Sequence, residues 1–377
     1  MVLQVGFTFN LKRDISPEEN LPEDFYAEWD DIHTIKAVKK ALEKGGARVK
    51  LIEADERAFE RLKRSKVDFV FNMAEGYRGE SRESHVPAML EMLKIPYTGS
   101  GPLTLALALD KAMTKEVLSH HNIPNPKFQI FRSVNDKLKR GLAFPLIVKP
   151  IREGSSMGIF NNAIVRNDAE LRTRVVFIIK TYEEPALVEE FLEGREFTVG
   201  VLGNGKDAVI LPIEELLFDA LPEGANRIYS YEAKWVWDTP EKPLKIFQCP
   251  AKIPKRLENR IKKVVLQAYK VLDCHDVTRI DVRLGRNNKV NIIEVNPLPG
   301  LLPDPDQNSC LPNEARSAGL SFEQLINTIL FHALKRHSMH NRIRKKYVVV
   351  NFRKTGIAKT KQLKTQTHKK GKGKHGH

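Results

Sequence analysis

The 377-residue sequence predicts a mixed α/β and α+β protein in which a helix-covered parallel sheet precedes antiparallel sheet units. Three observations predict it. From Val2 to Leu93, short apolar strands alternate with amphipathic helices, the order that builds a parallel sheet. From Ala186 onward, strand-like runs follow one another with no helix between them. Val277–Gly300 then reads as a hairpin, with alternating apolar and polar residues on both sides of a turn at Gly285–Asn288. A 41% hydrophobic content can fill a core, and the length is that of two or three domains.

In chain order, Val2–Phe9 is the first strand. Ser16-Pro17-Glu18-Glu19 has the N-cap, proline and acidic pattern of a short helix start. Ile32–Lys44 is an amphipathic helix that exits at Gly45-Gly46. Strand Val49–Glu53, helix Glu56–Ser65, strand Asp68–Met73 and helix Val86–Leu93 follow. Ligands of such sheets sit beyond the carboxyl ends of the strands, which points to Ala74–Glu80 as a substrate loop or an ordinary β–α loop. Helix Asp110–His121 closes at Ile123-Pro124-Asn125-Pro126, where a new unit begins. Strand Phe128–Phe131, helix Val134–Arg140, strand Leu146–Lys149 and helix Asp168–Lys180 come next. Strands Ala186–Phe191, Phe197–Val201 and Val209–Glu214 lead into the aromatic-rich segment Phe218–Pro243, read as an ordered lid. Helix Pro254–Leu272, the hairpin and helix Ser321–His337, with Ser321 and Gln324 placed as a capping box, complete the body.

Charge and cysteine usage exclude several classes. The net charge is +15, yet Lys335–His377 holds 15 of the 62 basic residues and no acidic one, so the rest carries 47 of each sign. The excess therefore belongs to a tail that reads as disordered. Weak contact with nucleic acid or an anionic surface and a merely solubilising role both stay open for it, and Tyr347–Phe352 is apolar enough to dock as a strand. Three cysteines, Cys249, Cys274 and Cys310, show no metal or disulfide spacing. No apolar run is long enough to span a bilayer and the N-terminus lacks signal-peptide features, so a cytoplasmic protein is expected. His120-His121 and the tail histidines read as structural or solvated. Neither a dinucleotide-binding Gly-x-Gly-x-x-Gly nor a P-loop is present.

Two stretches carry chemistry. On the hairpin, Arg279 and Asp281 share a face, as do Glu294 and Asn296. Paired strands would gather two carboxylates, an amide oxygen and a guanidinium, an oxygen-rich set suited to Mg²⁺; a solvated face would look similar. The second stretch is Lys149–Gly158, where Gly154 and Gly158 bracket Ser155 and Ser156. Small residues let backbone N–H groups approach a phosphate and hydroxyls add donors, although a mobile turn would share this composition.

Taken together, these pieces resemble the ATP-grasp ligases, and most closely the D-alanine–D-alanine ligase family. The resemblance runs from about Asp68 to His337. It is carried by Tyr97-Thr-Gly-Ser-Gly, Asp110-Lys111, Val148-Lys-Pro-x-Arg-Glu-Gly-Ser-Ser-x-Gly158, Val188-Glu-Glu-x-Leu-x-Gly-x-Glu-Phe-Thr-Val199, Tyr231-Glu-Ala-Lys234, Arg279-Ile-Asp281 and Glu294-Val-Asn-Pro-x-Pro-Gly300. It implies an ATP-grasp fold: a Rossmann-like substrate domain at 1–101, a central domain at 102–185, a C-terminal domain with the metal site at 186–338, and the tail at 339–377. It implies that ATP lies between two α+β units, with Lys111 and Lys149 on its phosphates. Glu189, Glu190 and Leu192 would meet the adenine and Glu196 the ribose, with Ile293 among the nucleotide contacts. Ser155 and Ser156 lie in the loop that would close over the phosphates, with Lys234 near the transferred one. Asp281, Glu294 and Asn296 would bind a pair of Mg²⁺ ions, Mn²⁺ being an acceptable replacement. Arg279 and the Gly300 backbone would stabilise the tetrahedral intermediate, so Arg279, Ser155, Lys234 and Gly300 are the catalytic candidates.

The implied activity joins the carboxylate of one amino acid to the amine of another through an acylphosphate. The partners implied are small amino-acid-like substrates, with a homodimer as the assembly. A non-catalytic nucleotide binder, or a protein tethered to nucleic acid by its tail, is the alternative. Three departures fall in the substrate half. The first strand normally leads into Gly-Gly-x-Ser-x-Glu, whose Glu grips the first substrate's ammonium; here it leads into Gly6–Arg13, leaving Glu28 or Asp30 as candidates. The segment Leu301–Pro312 is rewritten where a Ser-Leu normally holds the second carboxylate, and Ser309 is the nearest replacement. The loop-closing tyrosine is Trp235.

Overall fold

The computed structural model describes residues 2–13, 22–238, 242–307 and 309–349. The helix start expected at Ser16 and the tail beyond 349 lie outside these residues. The first sheet holds β1 (Gln4–Phe9), β2 (Arg48–Glu53) and β3 (Phe69–Asn72), with helices α1 (Ile32–Lys44), α2 (Ala58–Arg64) and α3 (His85–Met92) between and after them. Its order is β2-β1-β3, all parallel. Val5, Phe7 and Phe9 are buried and so are Gly6 and Thr8, the pattern of a strand covered on both faces. The α1 boundaries match the sequence reading: Asp31 accepts the Thr34 N–H (2.6 Å), and Gly45 follows Lys44.

Helices α4 (Pro102–Leu109) and α5 (Lys111–His120) come next. The first was not anticipated, although Gly101-Pro102 places a proline at the first helical position. Asp110 caps α5 by accepting the N–H groups of Ala112 and Met113. Strands β4 (Phe128–Phe131), β5 (Leu146–Pro150) and β6 (Ile164–Val165), helix α6 (Asp168–Tyr182) and strand β7 (Ala186–Glu190) form an antiparallel sheet of order β4-β7-β5-β6. The helix expected at Val134–Arg140 does not form. Asp136 accepts the N–H groups of Arg132 and Ser133, while Gln129 donates to the Lys137 carbonyl and accepts the Lys139 N–H. These side chains hold the backbone in a turn that competes with helix.

The third sheet holds β8 (Glu196–Leu202), β9 (Val209–Ile210), β10 (Glu214–Leu216), β11 (Phe247–Gln248), β12 (Val277–Leu284) and β13 (Val290–Asn296). Its order is β11-β10-β8-β12-β13, with β9 also on β8. The single strand expected at Val209–Glu214 is thus two, interrupted around Pro212, which has no N–H for a ladder. Helix α7 (Lys255–Val271) buries Leu257, Ile261, Val265 and Ala268 at helical spacing. Helices α8 (Cys310–Ser317), not anticipated, and α9 (Phe322–Arg336) follow, and the Ser321–Gln324 capping box is present. In the described part of Tyr347–Phe352, Val348 and Val349 pack on the core without forming a strand.

One core cluster joins β1, α1 and β3 to α8 and α9, so the parallel sheet is braced by the last helices. A buried hub at Asp276 ties this corner together. Its carboxylate, 0% exposed, accepts from the Gly99 N–H (2.9 Å), Asn204 Nδ2 (2.7 Å) and Arg336 Nη2 (2.8 Å). Asp276→Ala leaves these donors unmatched and is expected to destabilise the fold by roughly 2–4 kcal/mol. Urea unfolding checks this as a lower midpoint at unchanged slope.

Candidate active site

The two antiparallel sheets, the α4–α5 segment and the segments that follow β1 and β3 line a cavity of about 290 Å³. Every site residue named from the sequence lines it: Arg279, Asp281, Glu294, Asn296 and Gly300 from the hairpin and its exit; Lys111 and Lys149; Ser155 and Ser156; Glu189, Glu190, Leu192 and Glu196; Lys234 and Ile293. Glu28, Asp30, Trp235 and Ser309 line it too.

The hairpin supplies the acidic corner. Asp281 stands opposite Glu294 across β12 and β13, and Arg279 opposite Asn296. The register slips between Asp281 and Val282, a bulge beside the site. Asp281 accepts from Arg279 Nε (3.0 Å) and Nη2 (2.9 Å), from Thr198 Oγ1 (2.7 Å) and from Asn296 Nδ2 (3.1 Å). Lys111 Nζ lies 3.0 Å from Glu294 Oε1. Burial would raise the Glu294 carboxyl, but Lys111, Lys149 and Arg279 prevail and hold it at about 2, so it is ionised at neutral pH. Arg279 is half-buried, and Asp281 beside it keeps it firmly cationic.

A cationic wall faces this corner. Lys149, at the end of β5, pairs with Glu189 (2.7 Å), whose second oxygen pairs with Lys115 (2.8 Å). Lys115 was missed from the sequence; it lies four residues after Lys111 and so on the same helix face. Ser155 and Ser156 both adopt left-handed backbone, φ +48° and +64°. Ser156 Oγ donates to the Tyr229 carbonyl (2.8 Å) and Trp235 Nε1 to the Ser155 carbonyl (3.3 Å), so the loop is tied to the aromatic segment. Residues 233–237 form one π-helical turn that presents Lys234, 5.0 Å from the Trp235 ring centroid. Burial, then Arg279, lower the Lys234 ammonium to about 8.

The opposite end is apolar. Ile147, Phe191, Leu216, Phe247 and Ile293 line a slot suited to a flat ring. Glu196 sits at its edge, paired with Arg283 (2.7 Å), whose guanidinium lies 4.6 Å from the Phe191 ring and 5.1 Å from that of Phe218. Beyond Gly300, the Ser309 hydroxyl donates to the Gly300 carbonyl (3.2 Å), and Ser309 and Cys310 both line the cavity. Of the loop Ala74–Glu80, Glu75 reaches the cavity. Arg82, just beyond that loop and absent from the sequence reading, bridges Glu28 (2.7 Å) and Glu153 (2.8 Å).

A family model described as D-ala D-ala ligase C-terminus matches residues 117–331. An uncharacterized protein of Sinorhizobium fredii, y4sG, is 34% identical over 345 residues, spanning 89% of this chain and 97% of its own length. A D-alanine–D-alanine ligase of Carboxydothermus hydrogenoformans is 34% identical over 313 residues, covering 81% of this chain and 93% of its own. The crystal structure of D-alanine–D-alanine ligase from Bacillus anthracis superposes with a TM-score of 0.67 at 25% identity, covering 89% of this chain and 99% of that one. The resemblance read from the sequence and the ATP-grasp architecture it implied agree with these matches. The alternative of a non-catalytic binder led by the tail is not favoured by them.

Proposed function

The chain belongs to the D-alanine–D-alanine ligase family of ATP-grasp ligases, and from that premise we propose that it joins the carboxylate of one amino acid to the amine of a second, using ATP. The observation that carries this reading is the convergence of Lys111, Lys149, Lys234 and Arg279 with Asp281 and Glu294 on one cavity. Four cations in one buried site suit a multiply charged anion, and the apolar slot beside them suits its base.

In the proposed reaction the nucleotide base lies between Phe191, Leu192 and Ile293, with Glu189 and Glu190 at its edge and Glu196 at the ribose. Lys111 and Lys149 hold the phosphates, and the Ser155–Ser156 loop covers them. A carboxylate oxygen of the first amino acid attacks the γ-phosphorus as the bond to ADP breaks, giving an acylphosphate. The second amino acid's neutral amine attacks the acyl carbon. The tetrahedral intermediate places negative charge on oxygen, which Arg279 and the backbone around Gly300 offset. Its collapse expels phosphate, the amine's proton leaves to solvent, and an amide remains. The donor set of Asp281, Glu294 and the Asn296 amide oxygen is all oxygen and anionic, and so fits Mg²⁺. These residues would hold the ion, which when bound neutralises phosphate charge and polarises the transferred phosphoryl group. A reaction that spends ATP on small amino acids fits the cytoplasm expected from the sequence.

The ATP half keeps the family's residues, while the segments that meet the amino acids are rewritten. The rewritten segments therefore set the amino-acid pair, which need not be two D-alanines. Phosphate release with mass detection of product, across D- and L-amino acids and dipeptides, tests the reading. An ATP-dependent amide product is expected; absence of ADP formation with every member of the panel sinks it.

The Lys234 shift has a kinetic consequence. Protonated Lys234 is the form that attracts phosphate, so kcat/KM for ATP is expected to fall as pH rises through about 8, where the free protein loses that proton. Lys234→Arg, which does not titrate in this range, should remove the limb from a pH profile.

A further inference from the structure

The end of the cavity remote from the adenine slot carries more carboxyl groups than one amino-acid ammonium requires. Glu28, Asp30, Glu75, Glu83 and Glu153 all line it. Arg82 serves two of them, Glu28 and Glu153. Lys111, the nearest other cation, is engaged by Glu294 and by the Glu153 carbonyl (2.5 Å). Among the described residues, the carboxylates of Asp30, Glu75 and Glu83 have neither hydrogen bond nor ion pair. Glu83 is only 9% exposed, so its lack of a partner is costly in the ionised state. Burial first, and repulsion by neighbouring carboxylates second, raise Glu83 to about 8 and Asp30 to about 7, and push Glu75 well up.

We propose that this end selects a first substrate with a second positive charge, an α-amino acid whose side chain carries an ammonium or a guanidinium. The proposal rests on the ligase reading and names its substrate class. One unpaired carboxylate would meet the α-ammonium, and the others would meet the side-chain cation. A metal ion is the poorer occupant. Among the described residues no three Asp, Glu, His or Cys side chains converge closely enough to hold one. Dispersed acids suit an extended organic cation, whose two charges lie several bonds apart.

The test compares lysine and arginine with norleucine, which matches lysine in shape but lacks its charge. Each is titrated in both configurations, by calorimetry, into the full chain loaded with Mg²⁺ and a non-hydrolysable ATP analogue. Lysine or arginine is expected to bind about tenfold or more tightly than norleucine in one configuration. Glu75→Gln and Glu83→Gln should each shrink that ratio severalfold while leaving affinity for the analogue unchanged, which also shows the variants are folded. Equal binding of norleucine, no binding of either cationic amino acid, or a preference that survives in the double variant overturns the proposal. ADP formation is measured on the same preparations across the full amino-acid panel. ADP formed without cationic preference sinks this proposal alone, whereas no ADP with any amino acid sinks the ligase reading.

Discussion

Glu294→Gln is expected to lower ATP-dependent turnover by about 10²–10³-fold and to raise the Mg²⁺ concentration needed for half-maximal rate. The substitution keeps the size of the side chain and removes its charge. Glu294 is ionised in the folded protein because Lys111, Lys149 and Arg279 outweigh its burial. It faces Asp281 across the hairpin, so the variant halves the carboxylate charge at the corner. It also frees Lys111 from its 3.0 Å pairing. Affinity for ATP without metal should therefore fall little, since a freed ammonium can turn to phosphate. Steady-state rates over a Mg²⁺ series separate the two effects. A variant with wild-type turnover and wild-type Mg²⁺ dependence would remove Glu294 from the chemistry.

Arg279→Met is expected to lower kcat by about 10²–10³-fold with little change in ATP affinity, because the guanidinium would act on charge that develops after the nucleotide has bound. Two bonds hold Arg279 to Asp281, and Thr198 and Asn296 fix that carboxylate from other directions. The donor is thus preorganised on strand β12 rather than on a loop. A second readout is independent of rate. Arg279 contributes to lowering Lys234, so its removal should move the alkaline limb of the residual kcat/KM above about 8. Normal kcat in the variant, or a limb that does not move, would contradict the assignment.

Much of this site was legible in the sequence because its residues lie on regular elements. The alternation along 277–284 and 290–296 fixed which side chains share a face, and the structure puts Asp281 opposite Glu294. Glycines 154 and 158 marked the loop, and the Ser155 and Ser156 backbones there are left-handed. What was missed depends on contacts distant in sequence. Lys115 acquires its place only by meeting Glu189 of β7, and Arg82 by reaching Glu28 and Glu153. The helix expected at Val134–Arg140 failed for a local reason, since Asp136 and Gln129 compete for the backbone. Pro212 split a strand whose apolar run looked continuous. Helix α8 is short and shows in the sequence only as the spacing of Leu311 and Ala315, four apart and both buried.

The central claim is that the carboxylate is activated by direct transfer of the γ-phosphoryl group. Isotope tracing tests it most directly. The amino acid that releases phosphate fastest is labelled with ¹⁸O in both carboxylate oxygens and turned over with unlabelled ATP and an amine acceptor. The account predicts that each phosphate released carries one ¹⁸O, taken from the carboxylate when the acylphosphate collapses. Phosphate free of label, formed alongside product, would contradict it.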